Sequence, residues 1–285
     1  MNNHPPAIIV HGGAGSITDD SLPARLAGCK EAALEGWRIL VRGGSSLDAV
    51  EIAVTALEDN PLFNAGTGST LNKMGQVEMD AAIMDGKKLS AGAVAAVSGI
   101  KNPIKLARKV MEDGRHVLLA GQGALFFARE AGIPECPPEA LIVEAQRKRW
   151  EKKHGTVGCV ALDSDGKIAV GTSTGGIFDK LPGRVGDSPL LGCGTYAEET
   201  GGVSCTGDGE AIIRTVMART ALEFLHTGST PALAARQAVS LLEEKTHGQG
   251  GLIMIDRHGR AGYFRNTERM PVCLLSDTDQ IVIDS

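Results

Sequence analysis

Two stacked β-sheets between outer layers of helix, a four-layer αββα sandwich of the α/β (α+β) class, is the fold that the sequence predicts. Three observations lead there: apolar, β-rich hairpins recur along the chain, pairs of helical stretches separate them, and glycine dipeptides punctuate the joins. The chain has 285 residues, enough to bury a sizeable core, and 37 of them are glycine, which implies many tight turns and close backbone approaches.

The elements follow in order. AIIVHGG reads as a buried strand ending in a glycine turn. Over 22–41 the apolar residues Leu26, Cys29, Ala33, Trp37 and Leu40 keep helical spacing until Gly43 and Gly44 stop the run. Ser45 with Asp48 three residues on resembles a capping box and opens a second helix to about Glu58. A glycine-rich loop, NPLFNAGTGSTLN, leads to a hairpin turning at Asp85-Gly86. Asn102-Pro103 starts a helix over 103–111 with Asn102 as its cap, HVLLAG is a strand, and helices are expected over QGALFFAREAG and over 138–152. The next hairpin joins 156–162 to 167–174 through Ser164-Asp165-Gly166. GGVSCTGDGEAIIRTVMARTALEFL turns from strand to helix at a glycine corner, Thr230-Pro231 caps a helix over 231–244, and GGLIMIDRHGRAGYFRN and QIVIDS end as strands.

Composition excludes several functions. A net charge of −5 without a dense Lys/Arg stripe argues against nucleic acid and anionic membrane as partners. RKRWEKK at 147–153 reads as a solvated helix end, and the apolar run of MNNHPPAIIVHGG is too short for a signal peptide or membrane span. The six cysteines show no CxxC or zinc-like spacing, and several lie in apolar strands, so they are expected to be reduced core residues of a cytoplasmic protein. The seven histidines do not cluster, so metal catalysis is not expected.

The chemistry concentrates in three places. In the hairpin at 156–174, a three-residue loop pairs Asp163 with Lys167 and sets Thr156 opposite Thr174, so hydroxyls gather at its open end, directly after Gly155. A threonine hydroxyl attacks only when a base takes its proton. An α-amine has a reference pKa of about 7.7–8.0, so cutting the Gly155–Thr156 bond would give one residue both nucleophile and base. The plainer reading is β propensity. In SCTGDGE, Thr206 and Gly207 stand at a strand-to-helix corner suited to a developing oxyanion; the plainer reading is a tight turn with Asp208 and Glu210 near the helix start. In LPGRVGDSP, Arg184 and Asp187 suit the carboxylate and ammonium of an amino acid, or simply form a surface ion pair.

These segments, with HGGAG at 11–15, NPLFNAGTG at 60–68, MDAAIMDG at 79–86, GTVG at 155–158, TSTGG at 172–176 and GGLIMID at 250–256, closely resemble the plant-type asparaginases, or isoaspartyl peptidases, of the N-terminal-nucleophile (Ntn) hydrolases. The resemblance implies one Ntn-hydrolase domain over 1–285, self-cleaved into 1–155 and 156–285. It also implies hydrolysis of β-aspartyl dipeptides and L-asparagine. Thr156 would be the nucleophile with Thr174 beside it and Asn64 nearby, and Thr206 and Gly207 would form the oxyanion hole. Arg184 would hold the substrate carboxylate, while Asp187 and the Gly209 carbonyl would hold its ammonium. The loop 57–67 would bind a structural sodium ion through the backbone of Leu57, Glu58, Asn60, Phe63, Ala65 and Thr67. No organic cofactor is implied, and relatives are usually dimers of the cleaved unit.

Two features depart from the family pattern. The helix expected up to Lys152 leaves little slack before Thr156, and Asp208 adds a carboxylate near the expected acyl pocket. Glycosylasparaginase is the alternative within the superfamily, disfavoured by TSTGG and the missing secretory signal. A non-catalytic or nucleotide-binding α/β protein is the alternative outside it, disfavoured by the lack of GxxxxGK[ST] and of a complete GxGxxG.

Overall fold

A computed structural model describes residues 4–142, 155–276 and 282–285. β1 (Ala7–His11) lies inside an eight-stranded sheet and pairs antiparallel with both β5 (Val157–Leu162) and β11 (Val272–Ser276). β6 (Ile168–Thr174), β2 (Met79–Asp85), β3 (Ser90–Val97) and β4 (Leu118–Ala120) extend the sheet on one side, and β12 (Val282–Asp284) on the other. The second sheet has four strands in the order β10 (Ala261–Arg265), β9 (Gly250–Asp256), β8 (Gly201–Gly207) and β7 (Thr195–Glu198).

Side-chain alternation builds the layers. From β1 and β5, Ile8, Val10, Val157 and Cys159 share a core with α1 (Leu22–Leu40), α2 (Ser46–Asp59), α3 (Pro103–Asp113) and α4 (Gly121–Glu130). Their neighbours Ile9, Val160 and Leu162 face Ile253 and Ile255 of β9 in a core between the sheets. Leu252 and Met254 turn the other way, onto α6 (Met217–His226) and α7 (Pro231–Thr246). Strands buried on both faces read as continuous apolar runs, and the layers run helix, sheet, sheet, helix, as expected. Among the described residues no helix is long and apolar enough to cross a membrane. All six cysteines are free, and Cys29, Cys159, Cys205 and Cys273 are buried.

Most expected elements stand where the sequence put them, with four differences. Asn102 does not cap α3 with its side chain, which donates to Asp59; the buried Glu58 carboxylate accepts the Ile104 N–H instead, at 3.0 Å. Of the helix expected at 138–152, the described part is a 3₁₀ turn, Pro138–Leu141, closed by an extended Ile142, and 143–154 lie outside the described residues. The single helix expected after the glycine corner is two: α5 (Gly209–Thr215) ends at Val216, which has a left-handed φ of 46°, and α6 starts anew. There the N–H groups of Ala218 and Arg219 turn to the carbonyls of Cys193 and Gly192. Strands β7 and β11 were not foreseen.

Candidate active site

The open end of the β5–β6 hairpin has the foreseen register. Val157 pairs with Ser173, Asp163 N–H donates to the Lys167 carbonyl, and the Thr156 hydroxyl donates to Thr174 Oγ1 at 3.2 Å. Thr174 Oγ1 also accepts the Gly176 N–H at 3.0 Å. Both threonines are buried at the end of a sheet rather than in a solvated turn. One pocket is lined by Gly155, Thr156, Thr174, Arg184, Asp187 and Gly207, with Gly176 and Ile177. The three segments singled out by sequence thus meet in one place.

Asn64 braces this end. Its Oδ1 accepts the Thr70 N–H at 2.8 Å, its Nδ2 donates to the Gly176 carbonyl at 2.6 Å, and its own carbonyl accepts the Gly175 N–H at 2.8 Å. A Cβ on Gly155 would lie 3.4 Å from Asn64 Cβ, so Asn64 sits directly beside the Gly155–Thr156 bond. On the other side stands Gly13, at φ 96°, where a Cβ would approach Gly155 Cα to 2.5 Å and its carbonyl carbon to 3.0 Å. No side chain fits there.

Behind Thr156 runs a buried hydrogen-bond chain that the sequence reading missed. His11 Nδ1 accepts the Gly13 N–H at 3.3 Å, which leaves the proton on Nε2, 3.1 Å from Ser204 Oγ; Ser204 Oγ lies 2.8 Å from Thr172 Oγ1. Burial pushes the His11 pKa down to about 3, against an upward pull from its bond to the Thr156 backbone, so the ring is neutral at physiological pH. Gly158 makes room for this chain, since a Cβ there would sit 2.0 Å from Ser204 Oγ.

Of the expected oxyanion pair, Gly207 lines the pocket and Thr206 stands just before it in β8. Thr206 Oγ1 accepts the Ala14 N–H at 3.1 Å, which leaves its own proton available, and Gly207 ends β8 at φ 143°. Asp208 does not reach the pocket lining, because its Oδ2 accepts the Gln249 N–H at 2.7 Å.

Arg184 and Asp187 both line the pocket, but they are not each other's closest partners. Arg184 Nε and Nη2 form a fork with Glu210 Oε1 and Oε2 at 2.9 and 2.8 Å. The alternative of an Arg184–Asp187 surface ion pair therefore does not hold: Arg184 pairs with Glu210, and Asp187 is buried. This edge-on fork leaves Nη1 and one Nη2 hydrogen for a second carboxylate. Asp187 is 3% exposed and its Oδ2 has no hydrogen-bond partner. Burial pushes its pKa up to about 7, partly opposed by a backbone hydrogen bond and by the Arg184 charge. A buried carboxylate with a spare oxygen is short of a cation. Gly209 packs against both: a Cβ would lie 2.7 Å from Arg184 Nη2 and 3.0 Å from Asp187 Oδ1.

A sandwich of this layering with a hydroxyl pair at one sheet end agrees with the Ntn-hydrolase class expected above. The asparaginase family profile matches residues 4–154 and 151–283, and the chain belongs to that family. It is 51% identical over 270 residues to the human isoaspartyl peptidase/L-asparaginase, covering 89% of this chain and 88% of that one. It is 48% identical over 297 residues to the plant-type L-asparaginase of Pyrococcus horikoshii, covering 95% and 96%. The isoaspartyl peptidase/L-asparaginase of Danio rerio is 48% identical over 269 residues, covering 89% and 87%.

Proposed function

We propose that this protein is a threonine amidohydrolase of β-aspartyl dipeptides and L-asparagine that becomes active by cutting its own Gly155–Thr156 bond. The observation that carries this reading is the Thr156–Thr174 hydroxyl contact of 3.2 Å, in a pocket that also holds Arg184 and a cation-seeking Asp187. The printed activities of the relatives support the substrate class.

Self-cleavage comes first. Thr156 Oγ1 adds to the Gly155 carbonyl carbon, the C–N bond breaks as the Thr156 nitrogen takes up the hydroxyl proton, and water hydrolyses the resulting ester. Gly155 leaves as a carboxylate and Thr156 keeps a free amine. The close approach of Gly13 to this peptide supports the step, because it limits the positions that Gly155 can take beside the Thr156 hydroxyl. The single domain 1–285 then holds two chains, 1–155 and 156–285.

In turnover, Arg184 takes the substrate α-carboxylate on its free edge, and Asp187 with the Gly209 carbonyl takes the α-ammonium. The freed Thr156 amine accepts the proton of its own hydroxyl, which attacks the β-carbonyl carbon. Thr174, fixed by the Gly176 N–H, orients that hydroxyl. The tetrahedral oxygen rests on the Thr206 hydroxyl and Gly207 N–H, donors aimed where charge develops. The amine returns the proton to the departing amine or ammonia, and water releases L-aspartate.

A structural sodium ion belongs to the same reading. Gly66, at φ 53°, curls the loop 57–67 so tightly that a Cβ would meet the Glu58 carbonyl oxygen at 2.4 Å, and the Thr67 N–H closes back on that carbonyl. The carbonyls of Leu57, Glu58, Asn60, Phe63, Ala65 and Thr67 would hold the ion: they are neutral, hard oxygen donors suited to a small monovalent cation, and Leu57 and Glu58 lie in the last turn of α2, its negative end. We place the enzyme in the cytoplasm as a dimer of cleaved units. The test is Thr156→Ala, expected to stay one chain and lose hydrolysis of both substrates; retained β-aspartyl hydrolysis contradicts the assignment.

A further inference from the structure

MDAAIMDG is a motif that the chemistry above leaves without a task. Its strand β2 pairs with β6 so that Asp80 stands opposite Thr174, the neighbour of the nucleophile. Asp80 is fully buried, and a buried carboxylate is costly unless its oxygens are engaged. Oδ1 accepts the Ala96 N–H at 2.8 Å, and Oδ2 accepts the Gly186 N–H at 3.2 Å.

The first contact requires a distorted strand. The β2–β3 register slips by one residue between Met79 and Ala81, and Ala96 opposite adopts φ 48°, a left-handed conformation uncommon for a residue with a side chain. The second contact lands inside GRVGD, two residues after Arg184 and one before Asp187. Glu78 holds the earlier part of the same loop. Its carboxylate oxygens accept the Gly183 N–H at 3.2 and 3.1 Å, and its carbonyl accepts a bond from Lys180 Nζ at 2.7 Å. Lys180 and Arg184 are the cations that face the Asp80 carboxylate.

We infer that Glu78 and Asp80 are positioning residues that hang the loop 180–187 from the strand that also aligns Thr174, and so set the enzyme's affinity for the α-amino-acid end of its substrate. The inference rests on the function proposed above. A loop rich in glycine and proline has no ladder of its own, so the separation between Arg184 and the hydroxyl pair depends on what pins it to the sheet. Neither Glu78 nor Asp80 lines the pocket, so both act through Arg184 and Asp187. Binding ends displaced by about an ångström weaken ground-state and transition-state binding alike, which appears in KM rather than kcat. A role in stability alone would lower the melting temperature and leave KM where it was.

The experiment is steady-state kinetics on a β-aspartyl dipeptide and L-asparagine for the wild type, Asp80→Asn and Glu78→Ala, with circular dichroism and intact mass on each. In Asp80→Asn one acceptor oxygen becomes an NH2 group, so KM is expected to rise about tenfold while kcat stays within about threefold. Glu78 is only half-buried, so Glu78→Ala does not endanger folding. Its KM is expected to rise about threefold, with self-cleavage still proceeding in both variants. A wild-type KM in the folded variants, or a fall in kcat at unchanged KM, overturns the inference. If Asp80→Asn does not fold, Glu78→Ala decides alone. An inactive wild type removes the proposed function and this inference together, whereas an active wild type with unaltered variant KM removes the inference only.

Discussion

Asp187 carries the sharpest pH consequence at the scale of single residues. Its carboxyl titrates near 7 in the folded protein because it is buried, against 3.8 for the ordinary group. Binding a substrate ammonium requires the ionised form. On the proposed mechanism the free enzyme has two ionisations on its acid side, Asp187 and the Thr156 amine near about 7.7–8.0, while the substrate complex, with Asp187 already paired, has one. A kcat/KM profile steeper below pH 7 than the kcat profile is expected, and parallel limbs contradict it. Stability follows the opposite sign. A carboxyl whose folded pKa is raised contributes most below 3.8, and that contribution is lost as pH rises through about 7. Asp187→Asn should accordingly resist urea better than the wild type at pH 8, and equally at pH 3.5, while its KM rises. Glu210 belongs at the same scale: it fixes the plane of Arg184 and leaves one edge open. Glu210→Gln should raise KM about threefold or more, and a lowered KM would show instead that Glu210 competes with substrate. The threonine pair, the arginine and the aspartate were legible as candidates from their residue types, each with a plainer reading beside it, and their assigned roles came from the resemblance of the strings GTVG, TSTGG and LPGRVGDSP to the asparaginase family. Glu210 was assigned to a helix end because sequence spacing does not show that Arg184, 26 residues earlier, folds over it.

The elements that position the site depend on particular backbone geometries. The turn after β1 brings Gly13 against the Gly155–Thr156 peptide, and if that peptide is cut as proposed, Gly13→Ala is expected to leave the chain uncleaved over days by intact mass, whereas cleavage at the wild-type rate contradicts that role. At the start of α2, Ser45 Oγ accepts the Asp48 N–H at 3.1 Å, as the capping-box spacing indicates. Ser45→Ala should cost about 1 kcal/mol of unfolding free energy without changing kcat/KM. Caps and hairpin registers were readable because they are set by neighbours in the chain. The α5–α6 break was not, since Val216 has no glycine-like freedom and takes its left-handed turn to bring α6 onto the carbonyls of Gly192 and Cys193. Tertiary docking overrides local preference there. β7 is four residues long, and PVCLLS is an apolar run too short to distinguish strand from helix by period.

For the molecule as a whole, the four layers bring the ends of β5, β6 and β8 together with the LPGRVGDSP loop, so one hydroxyl is held among its partners before any bond is cut. The layer order was legible from apolar strands alternating with helix pairs. The split into eight and four strands was not, because strand order depends on which edges meet across the chain. The proposed activity depends on Thr156 gaining a free amine. The most direct measurement follows intact mass and release of L-aspartate from a β-aspartyl dipeptide on the same sample through maturation. Activity is expected to rise in proportion to a fragment that begins at Thr156. Full turnover by a chain still whole from 1 to 285 would contradict it.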